Sequence, residues 1–427
     1  MALETIFTMD TSGIKYGQGA TREIGFDMKN QGSKRVAVIV DPNLTDSETV
    51  QITLNSLRVE GIDAVKFDQV HIEPTDKSLL EAIKFAADGI FDGFVAVGGG
   101  STMDTCKAAN LFATYPDDLM AYVNAPIGQA KPVPGRIQPM LAIPTTAGTG
   151  SETTGTIIFD LTERHLKTGI AHRALRPLMG IIDPDNTRTN PRMVTASAGL
   201  DVLCHALESL LALPYESRAA AETPALRPAY QGANPISHIW ASKAIQMCAE
   251  FLPRAVQDPE DDEARAQMLL GATFAGIGFG NAGVTLPHGM SYPVSGLVKG
   301  NYIPDGYKVK KKAIIPHGMS VALNAPAVFR FTAPSNPAMH RYAAGLMGVD
   351  TNTIALEKAG EVLAQAVVDL MKRIGMPNGL SAVGYAPDDV DALVQGTLPQ
   401  HRVTKLSPRP ASADDLKQLF LDSMTLW

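Results

Sequence analysis

The chain has 427 residues, of which 45% are hydrophobic and 19% are charged. This composition is typical of folded globular proteins and excludes extensive intrinsic disorder. Lys and Arg number 37 against 44 Asp and Glu, a formal net charge of −7, so we expect no nucleic-acid partner. At about 100–200 residues per domain, the length predicts two or three domains.

The cellular location is predicted from three further features. We find no run of 18 or more apolar residues, and we therefore expect no transmembrane helix and no membrane partner. The first residues, MALET, lack the character of a secretory signal or a transit peptide. The three cysteines form no Cys-x-x-Cys pair, which fits a reducing compartment. Together these features predict a cytoplasmic protein.

Short β-rich runs alternate with helical patterns up to about residue 190. Strands are predicted at 36–40, 64–67, 94–97 and 140–143, with helices over 78–88 and 101–113. Such alternation is typical of a parallel α/β sheet. We therefore predict an α/β dinucleotide-binding domain over residues 1–190.

Beyond residue 191, helical patterns replace the strands. The predicted helices cover 195–212, 235–252, 262–278, 317–330, 337–347 and 352–373, with long loops at 214–235 and 299–313. We therefore predict a second, all-α domain over residues 191–427.

A glycine-rich turn follows the predicted third strand. Gly98, Gly99, Gly100 and Ser101 precede a helix, so backbone N–H groups and the helix N-terminus favour a pyrophosphate there. A plain tight turn explains the glycines equally well. Asp104 fits either the cofactor site or simple capping of the helix.

Two other segments fit a dinucleotide. The hydroxyl-rich loop 144–152 follows the fourth strand and suits a phosphate or ribose, although a polar connecting loop has the same composition. Asp41 ends the first strand, where a carboxylate would accept hydrogen bonds from a ribose diol and favour NAD over NADP. Asp-Pro is also an ordinary turn signal.

A second group of residues has the pattern of a metal site. Asp201 and His205 are four residues apart and share one helical face. His288 and His317 each stand in a Pro-His-Gly-Met context. One carboxylate and three imidazoles suit Fe(II) or Zn(II), although an Asp–His hydrogen bond alone would explain the first pair. Glu208 lies on the same stripe as a candidate partner for a ligating histidine.

These segments, taken in order, resemble the iron-containing alcohol dehydrogenase family (group III). The resemblance rests on GGGSTMD at 98–104, PTTAGTGSE at 144–152, DVLCHALE at 201–208 and PHGM at 287–290 and 316–319. Segments 227–237, 288–299 and 396–408 are similar to a subgroup that passes hydride from a hydroxy acid to a 2-oxo acid. The resemblance implies a dehydroquinate synthase-like architecture with the site in a cleft between an α/β domain and a helical domain.

The resemblance also implies roles for individual residues. The expected metal ligands are Asp201, His205, His288 and His317, and the expected pyrophosphate cradle is Gly98, Gly99, Gly100 and Ser101. The other residues expected to line the NAD site are Asp41, Asp104, Thr145, Thr146, Thr149 and Lys167. Ordinary members carry a second histidine where this chain has Tyr292. A phenol, with an ordinary pKa of about 10, is a poor proton relay at neutral pH. A proton path that combines Tyr292 with the cofactor ribose and water remains an open alternative.

The implied reaction is metal-assisted hydride transfer between a small hydroxy acid or alcohol and nicotinamide. The subgroup points to 4-hydroxybutyrate as donor and 2-oxoglutarate as acceptor. Their carboxylates need cations, and the candidates are Arg227, Lys299 and the lysines of segment 308–312, although solvated surface charge explains the same residues. We also expect a homodimer or larger homo-oligomer, which is the commonest state of soluble oligomeric proteins.

Three other functions remain open at this point. The first is an ordinary NAD(P)-dependent alcohol dehydrogenase or aldehyde reductase with exchangeable cofactor. The second is a lyase on the same scaffold that uses NAD transiently. The third is a non-enzymatic assembly protein, which an intact set of four ligands disfavours.

Overall fold

The structure is a computed structural model that describes residues 2–164, 166–309 and 313–427. Its internal contacts separate two compact units. We call Asp10–Thr189 the sheet unit, and we call Asn190–Trp427, together with the segment before Asp10, the helical unit.

A six-stranded parallel sheet forms the centre of the sheet unit. Its order is β1-β8-β5-β4-β2-β3, and β6 and β7 form a separate antiparallel pair. The strands are β1 Gly13–Tyr16, β2 Arg35–Val40, β3 Asp63–Phe67, β4 Gly93–Gly98, β5 Met140–Pro144, β6 Thr156–Leu161, β7 Leu166–Ala171 and β8 Met179–Ile182. The parallel sheet predicted from the alternating pattern is therefore confirmed.

Strand β2 shows why a continuous apolar run becomes an inner strand. Val36, Val38 and Val40 enter one hydrophobic cluster, whereas Ala37 and Ile39 enter the cluster on the other face of the sheet. Successive side chains point to opposite faces, so burial of both faces requires an unbroken apolar sequence.

The sheet brings three loop segments to one edge. Strand β2 lies between β3 and β4, so the order of the strands reverses around it. Parallel strands end at the same edge of a sheet, and ligands of such folds bind beside the carboxyl ends at this reversal. The segments that leave β2, β4 and β5 begin with Asp41, Gly99 and Thr145.

Helices connect the parallel strands. They are α1 Ile24–Asn30, α2 Glu48–Val59, α3 Asp76–Gly89, α4 Gly100–Thr114 and α5 Leu119–Tyr122. The predicted helices 78–88 and 101–113 are confirmed as α3 and α4. The sequence patterns missed β1 and β8 and the separate pair β6 and β7. Strands β1 and β8 are only four residues long, and such short strands carry little periodic signal.

Helices without strands make up the helical unit, in the part of the chain that is described. They are α6 Arg192–Leu211, α7 Pro235–Gln257, α8 Asp262–Ala282, α9 Leu286–Gly296, α10 His317–Thr332, α11 Pro337–Leu346, α12 Ala359–Ile374, α13 Val390–Thr397, α14 His401–Thr404 and α15 Ala413–Asp422. The helical second half is confirmed, although α12 begins at 359 instead of the predicted 352.

Helix α9 was missed because its sequence contains residues that normally break helices. Pro287 lies in its first turn, Pro293 lies in its interior and Gly296 is its last residue. Proline is tolerated in a first turn, but it removes a hydrogen bond further along. The helix nevertheless places His288 and Tyr292 one turn apart.

Helix α6 is apolar enough to pass a length and composition test for a membrane span. However, 83% of the tested window is buried inside the protein. Asp201, His205 and Glu208 lie within this helix and are also buried. Burial of an apolar helix together with such polar side chains is typical of the core helix of a folded domain.

Candidate metal centre and dinucleotide loops

Four side chains from three helices of the helical unit converge on one point. Asp201 and His205 come from α6, His288 from α9 and His317 from the start of α10. Their candidate ligand atoms all lie within 4.8 Å of one another. The Nε2 atoms of His205, His288 and His317 lie 3.8, 3.6 and 3.8 Å from Asp201 Oδ1.

Close helix packing explains why glycine follows both of the later histidines. A Cβ at Gly318 would lie 2.1 Å from the Ser197 carbonyl oxygen and 2.7 Å from Asp201 Cβ. A Cβ at Gly289 would lie 2.8 Å from Thr404 Cγ2. The missing side chain at Gly318 thus lets α10 approach α6 closely enough to bring His317 to Asp201.

The donor atoms fit a divalent cation. Asp201 Oδ1 and His288 Nε2 are buried and have no hydrogen-bond partner among the described residues. Unpaired polar groups in a protein interior are costly. A cation bound between them would satisfy both atoms, and one carboxylate with three imidazoles is a donor set for Fe(II) or Zn(II).

Glu208 orients one of the candidate ligands. Its Oε1 lies 2.6 Å from His288 Nδ1, and its Oε2 accepts a hydrogen bond of 2.7 Å from the Thr285 backbone N–H. Glu208 is completely buried. In the neutral imidazole, a hydrogen bond from Nδ1–H to a carboxylate leaves the Nε2 lone pair available to a metal, which is the usual effect of such a partner on a ligating histidine.

The electrostatics of the cluster put Asp201 and His205 in ligating protonation states, whereas they favour a proton on His288. Burial would raise the pKa of Asp201, but the surrounding imidazoles lower it below its usual range. Burial lowers the pKa of His205 to about 3, so this imidazole is neutral. Burial also opposes protonation of His288, but Glu208 and Asp201 outweigh it and raise its pKa to about 9. A metal would therefore displace a proton from His288.

Aromatic side chains surround the ligands. Phe279 stacks on His205 with ring centroids 3.9 Å apart, and the Tyr292 ring lies 6.3 Å from that of His317. Arg402 donates a hydrogen bond from Nη2 to the Tyr292 hydroxyl. Phe279 and Arg402 were absent from our sequence-based candidates, and the only signal for Arg402 was its place in segment 396–408.

In the sheet unit, the glycine turn packs directly against the hydroxyl-rich loop. A Cβ at Gly99 would lie 3.1 Å from Thr146 Oγ1, and one at Gly100 would lie 2.6 Å from Thr149 Cγ2. The Thr145 backbone N–H donates to the Gly98 carbonyl. Gly99 is the N-cap residue of α4, so the turn leads directly into the helix N-terminus.

Asp104 lies in a largely buried network that includes the end of the hydroxyl-rich loop. It accepts hydrogen bonds from Ser151 Oγ at 3.1 Å and from the Ile158 N–H at 2.9 Å. Lys107 donates to the Ser151 carbonyl and hydroxyl, both at 2.7 Å. Burial raises the pKa of Asp104 to about 6 and lowers that of Lys107 to about 8. The network holds the end of the hydroxyl-rich loop, and our sequence-based candidates did not include Lys107.

Three further predicted cofactor residues also have partners within the chain. Ser101 Oγ accepts a hydrogen bond from the Glu73 N–H. The Lys167 ammonium pairs with Glu73 at 2.7 Å and Asp160 at 2.9 Å. Burial opposes its charge, but these carboxylates raise its pKa. Asp41 accepts from the Asn43 N–H, and burial raises its pKa.

Both predicted substrate cations are held by carboxylates. Arg227 Nε lies 3.0 Å from Glu4 Oε2, and Lys299 pairs with Asp389. Their roles in substrate binding stay predictions. Of the lysines in segment 308–312, those at 310–312 lie outside the described residues.

A sheet unit with a glycine-rich turn after a strand and a helical unit with four largely buried candidate ligands are the combination expected of a metal-dependent dehydrogenase. The family model "Iron-containing alcohol dehydrogenase" matches residues 11–184, and "Fe-containing alcohol dehydrogenase family, C-terminal" matches 229–424. The hydroxyacid-oxoacid transhydrogenase of Mus musculus mitochondria is 52% identical over 99% of this chain and 90% of its own length. A probable hydroxyacid-oxoacid transhydrogenase of Dictyostelium discoideum mitochondria is 49% identical over 99% of this chain and 79% of its own length.

Solved structures agree with these relatives. A 1,3-propanediol oxidoreductase superposes with a TM-score of 0.85 at 26% identity, covering 98% of this chain and 100% of the other. The chain therefore belongs to the iron-containing alcohol dehydrogenase family, and it is an oxidoreductase. The family resemblance predicted from the sequence motifs is confirmed.

The prediction of a cytoplasmic location is wrong. The relatives from Mus musculus, Homo sapiens and Dictyostelium discoideum are all named as mitochondrial. The prediction depended partly on three unpaired cysteines, all of which are buried. Reduced cysteines argue against an oxidising compartment, but they do not distinguish one reducing compartment from another.

Proposed function

We propose that the protein is a hydroxyacid–oxoacid transhydrogenase that oxidises 4-hydroxybutyrate to succinate semialdehyde and reduces 2-oxoglutarate to 2-hydroxyglutarate. The observation that carries this proposal is the largely buried cluster of Asp201, His205, His288 and His317 in a chain 52% identical to a transhydrogenase. The reaction balances, because one hydride and one proton leave the donor and are delivered to the acceptor.

The four candidate ligands would hold a metal ion whose chemistry suits this reaction. Asp201, His205, His288 and His317 would hold Fe(II), or Zn(II), which accepts the same ligands. When bound, such a metal supplies Lewis acidity that lowers the pKa of an alcohol and polarises a carbonyl. Glu208 keeps the Nε2 lone pair of His288 available, and Phe279 fixes the ring plane of His205 by stacking.

The cofactor we propose is NAD. When bound, its nicotinamide ring would supply reversible hydride transfer. Gly98, Gly99, Gly100 and Ser101 would bind the pyrophosphate through backbone N–H groups, and Thr145, Thr146 and Thr149 would line the same site. Asp41 would bind the adenosine ribose, and its carboxylate would repel a 2′-phosphate.

Asp104 and Lys167 would support the NAD site indirectly, through other residues. Asp104 holds Ser151 in the hydroxyl-rich loop. Lys167 holds Glu73, whose N–H binds the Ser101 hydroxyl. We therefore propose that both residues shape the NAD site through these intermediaries.

Turnover without added NAD tests the proposal. Purified, Fe(II)-loaded protein would receive 4-hydroxybutyrate and 2-oxoglutarate together, and 2-hydroxyglutarate would be followed. Many turnovers without added NAD would support a transhydrogenase with a retained cofactor. An ordinary alcohol dehydrogenase would instead form no product until NAD is added, and it would then release stoichiometric NADH from an alcohol alone.

We also propose that the protein forms a homo-oligomer. Strand β1 is an edge of the sheet, and Ile14 and Tyr16 on it are 39% and 45% exposed. Edge strands with exposed apolar side chains are normally covered. Light scattering after size-exclusion chromatography would measure the mass, and a monomer at micromolar concentration would contradict the proposal.

A further inference from the structure

Arg402 is a partly buried cation near the four candidate ligands, and it has no anionic partner among the described residues. Its Nη2 donates to the Tyr292 hydroxyl, whereas its buried Nη1 has no hydrogen-bond partner among residues 2–164, 166–309 and 313–427. No carboxylate of these described residues forms an ion pair with it. Buried charges in proteins are normally paired, so this guanidinium is suited to an anion that the chain itself does not provide.

Aromatic rings connect Arg402 to the metal centre on two sides. Its guanidinium carbon lies 5.1 Å from the centre of the Tyr230 ring. Tyr230 contacts Phe279 edge-on, with centroids 6.5 Å apart, and Phe279 stacks on His205. On the other side, Tyr292 separates Arg402 from His317. Arg402 is thus one ring away from one ligand and two rings away from another.

We propose that Arg402 binds the carboxylate of the substrate whose reacting oxygen lies at the four-ligand centre. This inference rests on the proposed function and names the residue that selects its substrate class. Nη1 would donate a charge-assisted hydrogen bond to a carboxylate oxygen. Tyr292 and Tyr230 hold the guanidinium in place through a hydrogen bond and a cation–π contact.

The chemistry of the two substrates explains why one cation is sufficient. In 4-hydroxybutyrate the carboxylate lies three carbon–carbon bonds from the carbon that loses hydride. In 2-oxoglutarate the distal carboxylate lies three carbon–carbon bonds from the carbon that receives it. A single guanidinium at a fixed position would therefore align both substrates and both products, as alternating use of one site requires.

The proposed carboxylate site also gives Tyr292 a role. Ordinary family members have a histidine there, whereas this chain has a phenol that accepts a hydrogen bond from Arg402. We assign Tyr292 as a positioning residue for the guanidinium. Arg227 and Lys299, by contrast, are each paired with a carboxylate of the chain, so binding a substrate would require them to exchange partners.

The test compares substrates with and without a carboxylate. In the metal-loaded protein, Arg402→Gln should lower the ratio of kcat/KM for 4-hydroxybutyrate to kcat/KM for 1-butanol by about 10- to 100-fold, as expected for loss of a hydrogen bond to a charged group. Arg402→Lys should recover only part of the ratio, because an ammonium lacks the planar fork of donors. Arg409→Gln is the matched control, since Arg409 is exposed and contacts Phe331 at the far end of α10 from His317.

A binding measurement supplies a readout that is independent of turnover. Succinate should bind the metal-loaded wild type in a calorimetric titration and bind Arg402→Gln at least about tenfold more weakly, with equal metal content in both proteins. Equal affinities for succinate, or an unchanged substrate ratio, would overturn the role of Arg402.

The same measurements separate this inference from the proposed function. Suppose that the wild type reduces no 2-oxoglutarate but binds succinate, and that Arg402→Gln binds succinate more weakly. This result would contradict the transhydrogenase activity and leave the role of Arg402 intact. Parallel loss of activity toward both alcohols, with unfolding at lower denaturant, would assign Arg402 a structural role and contradict the inference.

Discussion

Glu208→Gln tests whether the Glu208 carboxylate prepares His288 to bind a metal at the candidate centre. The carboxylate accepts hydrogen bonds from the Thr285 N–H, the Thr285 hydroxyl and His288 Nδ1. Glutamine has the same shape but only one acceptor oxygen, so its NH₂ group must face one set of these donors. If it faces Thr285, two donors oppose each other in the core. If it faces His288, the imidazole must change tautomer and place its proton on Nε2, where a metal would bind.

The expected loss of metal affinity is similar for both orientations of the glutamine side chain. An unsatisfied buried donor costs about 1–3 kcal/mol, and loss of a second partner to a ligating histidine lowers metal affinity by about 10- to 100-fold. At about 1.4 kcal/mol per tenfold change in affinity, the energetic cost and the loss of metal affinity are of the same size. We therefore expect Glu208→Gln to bind Zn(II) or Fe(II) about 10- to 100-fold more weakly than the wild type.

The assay is competition with a coloured chelator, with metal content measured after dialysis. Glu361→Gln is the matched control, because Glu361 forms an exposed ion pair with Arg330 on the surface. We expect this control to keep wild-type metal affinity. An unchanged metal affinity in Glu208→Gln would refute the view that this carboxylate selects the ligating tautomer of His288.

Three further predictions concern the cofactor loops and the substrate. Gly100→Ala would place a Cβ 2.6 Å from Thr149 Cγ2, so we expect weaker NAD binding by fluorescence titration and a stability loss of about 1–3 kcal/mol. Gly296→Ala, where an added Cβ meets nothing within 4 Å, should do neither. Because burial raises the pKa of Asp104 to about 6, this carboxyl binds its proton more tightly in the folded protein than in the unfolded chain. The stability advantage of wild type over Asp104→Asn should therefore shrink as pH rises from about 4 to about 7 in denaturant unfolding, and an advantage that grows with pH would contradict this. The predicted substrate role of Arg227 requires Arg227→Ala to raise KM for 4-hydroxybutyrate about tenfold, whereas an unaltered KM would leave Arg227 only as the partner of Glu4.

Local patterns were sufficient for much of the fold. Strands β2, β3, β4 and β5 were predicted. The inner strand β2 shows the reason most clearly, because a parallel sheet covered on both faces requires continuous apolar runs. Most helices of the second half were predicted from their apolar period. The four-residue strands β1 and β8 and the proline-containing α9 were not, because packing by neighbouring elements outweighed a weak or unfavourable local signal.

The four candidate metal ligands were also visible in the sequence. Asp201 and His205 are one helical turn apart, and repeated Pro-His-Gly-Met segments marked His288 and His317. Glu208 was recognised as a candidate partner because it lies on the same helical stripe. Its contact with His288, 80 residues away, depends on how α9 packs against α6.

Other features were decided by tertiary structure alone. No periodicity distinguishes Lys107 from a surface lysine, yet the fold buries it completely and surrounds it with oxygen atoms. Likewise, Arg402 and Tyr292 are 110 residues apart in the chain. The sequence by itself determined which residue types were available and which lay on one helical face. Partners, burial and unsatisfied charge are properties of residues that come together only when distant elements pack, and for this reason only the tertiary structure decided them.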